Sequence, residues 1–162
     1  MAARQLTLLL ACALVATACS AAPAPSANAA ADIDFVRGCW VAKDAPDGAI
    51  VSFLRLLPSS PRGDDLAGEV HPVASLYANQ ARGFTFKRDG SSATLTNLAA
   101  DSSTQTFVRN TTIDAGARNA TYSSGDTLMH VAGLNERLRI FTVKRDGSTE
   151  ATHFAGERDG CD

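Results

Sequence analysis

Two copies of one eight-residue word constrain this chain more than any other feature. Phe84-Thr85-Phe86-Lys87-Arg88-Asp89-Gly90-Ser91 and Phe141-Thr142-Val143-Lys144-Arg145-Asp146-Gly147-Ser148 share the string FTxKRDGS. Asp-Gly is a strong hairpin signal because a tight turn needs positive φ, and here it stands between alternating apolar and polar runs. Ala93 to Thr96 alternates after the first copy and Thr149 to Phe154 after the second, so each word predicts a β-hairpin. Reuse of a good turn explains the repeat better than duplication of a functional unit.

The rest of the chain from Asp34 onward reads the same way. Further strands are expected at Phe35 to Ala42, Ala49 to Leu57, Leu66 to Val73, Thr104 to Asn110, weakly at Ala120 to Ser123, and at Thr127 to Val131 and Arg137 to Val143. Turn residues separate them: Pro58 to Gly63, Asn79, Asp101-Ser102-Ser103, Asp114-Ala115-Gly116 and Gly133-Leu134-Asn135. No window has a persuasive helical period; the nearest, His71 to Ala81, contains Pro72 and Asn79. Nine or ten short strands with almost no helix predict an all-β antiparallel meander, which must close into a barrel or stack as a sandwich to hide its edges.

The N-terminus belongs to export rather than to the fold. Arg4 precedes an apolar run from Leu6 to Val15, too short to span a bilayer, and small residues follow at Ala16, Thr17 and Ala18. Ala16-Thr17-Ala18-Cys19 is similar to a bacterial lipobox, whose cysteine is lipidated and becomes the new N-terminus. Ordinary cleavage after Ala18 or Ala29 is the alternative and would give a soluble periplasmic or secreted protein. Residues 20–31, SAAPAPSANAAA, carry no charge and no large apolar group, so they read as a disordered tether. The expected division is a signal peptide over 1–18, a tether over 19–33 and a β-barrel domain over 34–162. The placement expected is the bacterial cell envelope, with the membrane reached through the N-terminal lipid alone.

Processing also simplifies the cysteines. Cys12 leaves with the signal and Cys19 takes the lipid, so Cys39 and Cys161 remain; in an exported chain they are expected to pair, with two free thiols as the alternative. Closing a loop of about 120 residues is worth on the order of 4–5 kcal/mol in the chain-entropy model. Neither cysteine has the close partners of a structural zinc site, so no metal is expected.

Phe35-Val36-Arg37-Gly38-Cys39-Trp40 opens the domain with Gly-x-Trp on the first strand. This resembles the opening motif of the lipocalin-like (calycin) β-barrels, which implies an up-and-down barrel of about 8 to 10 strands closed at one end by the Trp, with an Arg of the last strand packed across it. Arg158 is the matching residue here. Period-two parity agrees: Gly38 and Trp40 share one face and Cys39 the other, Arg158 lies in phase with Phe154, and Cys161 falls on the opposite parity. Two departures from the family pattern are expected: no helix after the last strand, and no helical lid after the first, since only about six residues separate the first strand from the second. A barrel this small is either filled by its own side chains or holds one small ligand.

Chemistry is sparse. His71, His130 and His153 are too dispersed for a ligand motif, no Ser has a nucleophile-elbow context, and Asp44, Asp47, Asp64 and Asp65 read as solvated turn residues. The Lys-Arg-Asp-Gly turns do not amount to an anion site, and Asn110-Thr111-Thr112 and Asn119-Ala120-Thr121 match the glycosylation pattern only by coincidence in a bacterial chain. A formal charge of -2 excludes a nucleic-acid footprint. Neither catalysis nor a cofactor is expected. Trp40, Phe84, Phe86, Leu95, Leu128, Leu138, Ile140 and Phe154 are the inward candidates, and Phe84, Phe86, Leu128, Leu138, Ile140 and Phe154 would line a cavity. The first expectation is therefore an envelope barrel for a small hydrophobic ligand. The alternative is a filled barrel that binds another protein, as an inhibitor or an assembly accessory.

Overall fold

The computed structural model describes residues 33–60, 65–74, 81–98, 102–113 and 118–161. The signal segment, Cys19, the tether up to residue 32, and the turn residues 61–64, 79, 101 and 114–116 lie outside them. Among the described residues a 3-10 turn, η1 (Asp34–Val36), leads into ten strands: β1 (Gly38–Lys43), β2 (Ile50–Pro58), β3 (Asp65–Pro72), β4 (Arg82–Lys87), β5 (Ser92–Asn97), β6 (Thr104–Arg109), β7 (Asn119–Ser124), β8 (Thr127–Leu134), β9 (Arg137–Lys144) and β10 (Glu150–Asp159). Consecutive strands pair antiparallel and β1 pairs with β10, so the sheet closes on itself with no free edge. This is the all-β, up-and-down barrel expected, and it is compatible with a calycin-like architecture.

The two repeated words build the same turn from the same atoms. Gly90 and Gly147 have φ of 69° and 77°, and their N–H groups donate to Lys87 O and Lys144 O at 2.9 and 2.7 Å. Asp89 Oδ1 accepts from the Ser91 N–H at 2.9 Å, and Asp146 Oδ1 from the Ser148 N–H at 2.8 Å. Hydrogen bonding to Ser91 and to Ser148 holds both Asp carboxyls below their ordinary range. Asp65, expected as a solvated turn residue, instead opens β3 and pairs with Lys87 at 2.7 Å.

Alternation places one face of every strand inside. Trp40, Leu54, Leu56, Leu66, Val70, Phe84, Phe86, Phe107, Tyr122, Met129, Val131, Leu138, Ile140 and Phe154 form one continuous buried cluster. Four further details differ from the sequence reading. Phe35 and Val36 belong to η1, and the extended chain of β1 begins only at Gly38, which has φ of 132°. Ile33, placed in the tether, is 1% exposed and part of the core. Gly133 and Leu134 continue β8, and the turn falls on Asn135 and Glu136 with φ of 49° and 60°. Leu128 lies out of phase with the buried Met129 and Val131, so it belongs to the outward-facing set of β8 and does not line the interior.

Candidate functional site

One end of the barrel is sealed by the chain entering it. The Trp40 indole N–H donates to Val36 O at 2.8 Å, anchoring η1 under the first strand. Trp40 is the register partner of Arg158, whose guanidinium carbon lies 4.3 Å from the indole centroid. Arg158 Nη1 donates to Arg37 O at 3.0 Å, Nη2 to Phe35 O at 3.3 Å, and Nε lies 2.6 Å from Glu136 Oε2. One face of the guanidinium lies over the indole and each of its three nitrogens has a partner, an arrangement a lysine cannot reproduce. On the outer side, Cys39 and Cys161 form a disulfide with Cα atoms 5.3 Å apart. The cystine ties the C-terminal end to the first strand, and Trp40 with Arg158 closes the same seam from within.

The interior is occupied by the wall's own side chains. Phe84, Phe86, Leu138, Ile140 and Phe154, the candidate ligand-lining residues, are each at most 3% exposed. Phe84 and Phe86 stack at 6.4 Å, and Phe86 meets Tyr122 at 6.2 Å. Tyr122, Phe107 and Met129 fill the barrel as much as these do. Phe107 and Tyr122 escaped the sequence reading because β6 and β7 are polar and short, and a single aromatic in TQTFVR or NATYSS gives little period; Met129 escaped it because β8, TLMHVAGL, offers apolar residues on both faces.

Toward the opposite end the lining turns polar. Arg82 Nη1 donates to Ala81 O at 2.7 Å and to Asn97 Oδ1 at 3.0 Å. The β9–β10 register shifts between Thr152 and Phe154, so His153 is an extra residue in its strand and its Nε2 reaches Thr142 Oγ1 at 2.8 Å. Burial pushes the His153 imidazole down to about 4, and the Arg82 charge adds to the same effect. Nothing in the linear sequence marks this bulge.

Outside, the wall carries a groove of about 850 Å³ over β8, β9, β10 and β1, bordered by the Asp44–Pro46 loop. Its floor is lined by small residues, Ala132 on β8 and Ala155 with Gly156 on β10, and reaches Val41 on β1, which is 5% exposed. A further hollow of about 180 Å³ adjoins it at Val41, lined by Phe53 and the cystine. Lys43 pairs with Glu157 across the groove, which raises the Lys43 ammonium and lowers the Glu157 carboxyl, and Arg139 pairs with Glu150. Arg137 stands exposed beside them with no ion pair among the described residues.

The remaining chemical candidates stay apart. His130 bonds Thr121 Oγ1 at 3.1 Å and stacks on Phe141 at 5.0 Å, while His71 lies 3.7 Å from Glu69 on the surface. Among the described residues no group of three or more His, Cys, Asp or Glu is arranged to hold a metal ion. Comparison with protein families, with curated proteins and with solved structures finds no match to this chain. The site must therefore be read from its own geometry.

Proposed function

We propose that the mature protein is a non-catalytic recognition module of the bacterial cell envelope, lipid-anchored through Cys19, in which a filled calycin-like barrel is the scaffold and a partner protein binds its outer wall. The observation that carries this reading is the state of the interior. Fully buried Phe84, Phe86, Phe107, Tyr122, Leu54, Leu56 and Met129 come from strands all around the barrel, and a ligand inside would have to displace them. The groove and the adjoining hollow, in contrast, lie on the outer wall, together with exposed Phe53, Val108 and Leu134. The competing reading, a small hydrophobic ligand held inside, draws on the polar end at Arg82 and His153, where a head group could enter.

Photoreactive side chains introduced at Phe53, Val108 and Leu134 in the living cell distinguish the two. The recognition reading expects a discrete protein adduct from at least one of these outward positions. Adducts at none of them would remove it.

A further inference from the structure

At one level of the barrel a row of side chains crosses five strands. The registers Phe53↔Val41, Val41↔Glu157, Glu157↔Arg137 and Arg137↔Leu134 set it from β2 through β1, β10 and β9 to β8. Its two ends are large and apolar, with Phe53 44% and Leu134 69% exposed. Between them the groove and the adjoining hollow meet at Val41. Neighbouring strands stand about 4.8 Å apart, so four steps separate the ends by about 19 Å, and an extended chain rising about 3.4 Å per residue covers that span in about six residues.

The charge along this row is asymmetric. Lys43 pairs with Glu157 and Arg139 with Glu150, whereas Arg137, on the row itself, has no ion pair among the described residues; the one other charge of the groove lining without one there is Asp44, in the loop at its border. Arg137 sits one strand from Leu134 and three from Phe53. Two modes of binding are closed by the architecture. A sheet without a free edge cannot accept an added strand, and a groove open along its length cannot enclose a small molecule in the way ligand pockets do.

Resting on the outer-wall reading above, we propose that this row docks an extended acidic segment of a partner protein, two of whose apolar side chains, about six residues apart, seat beside Phe53 and Leu134 while a carboxylate two residues before the second meets Arg137. The apolar ends supply the affinity. Arg137 selects the charge and orients the segment, as exposed interface charges do.

The test uses the exported, processed protein and a fluorescein-labelled peptide, Ac-Leu-Ser-Ser-Ser-Glu-Ser-Leu-NH2, read by anisotropy. Saturable binding is expected, weakened at least fivefold by Leu134→Ser, by Phe53→Ser and by Glu-to-Lys replacement in the peptide. Arg137→Glu should reverse the preference in favour of the Lys peptide, and Val108→Ser on β6 should change nothing. The emission of Trp40, the only tryptophan, reports that each variant is folded. Absence of saturable binding, insensitivity to Leu134→Ser and Phe53→Ser, or an unchanged charge preference in Arg137→Glu overturns the proposal. Photo-adducts from Val108 with none from Phe53 or Leu134 would overturn this docking site while leaving the outer-wall reading intact; adducts from no position would remove both.

Discussion

Arg158 sits over the Trp40 ring, guanidinium carbon to ring centroid 4.3 Å, while its nitrogens hold the carbonyls of Phe35 and Arg37. One side chain from the last strand thus stacks on the first strand and ties down the segment that plugs the barrel. A cation–π contact of this kind is worth about 0.5–2 kcal/mol, and the two hydrogen bonds add to it. The consequences reach the neighbouring glycine.

Gly38 has φ of 132°, and a Cβ placed there would stand 2.7 Å from Arg158 Nη1. The guanidinium can move aside, but the backbone conformation cannot be kept without strain. Gly38→Ala should therefore cost about 1–3 kcal/mol in urea unfolding followed by Trp40 emission. Stability equal to the parent would show that the backbone relaxes freely at this position.

Gly133 is small for a different reason: its Cβ would lie 2.6 Å from the Phe35 ring, which covers it. Gly133→Ala should destabilise by about 2 kcal/mol through overpacking, and Phe35→Leu should recover part of that loss in the double variant. Additive losses in the double-mutant cycle would separate the two residues.

The disulfide closes a sequence separation of 122 residues. Reduction, or Cys39→Ser with Cys161→Ser, should lower unfolding free energy by about 3–5 kcal/mol while the closed sheet persists, seen as unchanged far-UV circular dichroism at low temperature. Loss of the β spectrum on reduction at low temperature would show that the barrel cannot close without the cystine.

His153 titrates at about 4 in the folded protein against an ordinary value of 6.5. Between these values the unfolded chain binds the proton and the folded one does not, so stability is full above pH 6.5, falls as pH drops through that value, and has lost this contribution below about 4. Because the ring is only partly buried, the loss should be about 1–2 kcal/mol. His153→Asn should flatten the unfolding profile over that window, and an unaltered slope would assign the pH dependence to other groups.

The path from sequence to fold was short where local chemistry decides structure. Asp89-Gly90 and Asp146-Gly147 specify their turns outright, and nine or ten short strands with almost no helix leave a barrel or a sandwich as the means of hiding the edges, of which the structure has the closed barrel. Alternation puts Phe84, Phe86, Leu138 and Ile140 inside, and Phe154 is buried as expected although the bulge at His153 breaks the alternation just before it. The face assignment failed at Leu128 because β8, TLMHVAGL, offers apolar residues on both faces, and the deciding partner of Gly133, the Phe35 ring, is distant in sequence. The groove was not legible for the same reason: Val41, Glu157, Arg137 and Leu134 become neighbours only through the registers of four strands. Positions 41 and 157 lie far apart in the chain and carry no shared motif.

The central claim is that the barrel is filled by its own side chains and recognises its partner from outside. Native mass spectrometry of the protein taken from its own envelope tests this most directly. The account predicts a disulfide-bonded chain beginning at Cys19, carrying lipid on that residue, with no small molecule released when the fold is broken by activation in the gas phase. A stoichiometric apolar molecule that leaves only on unfolding would contradict it and return recognition to the interior of the barrel.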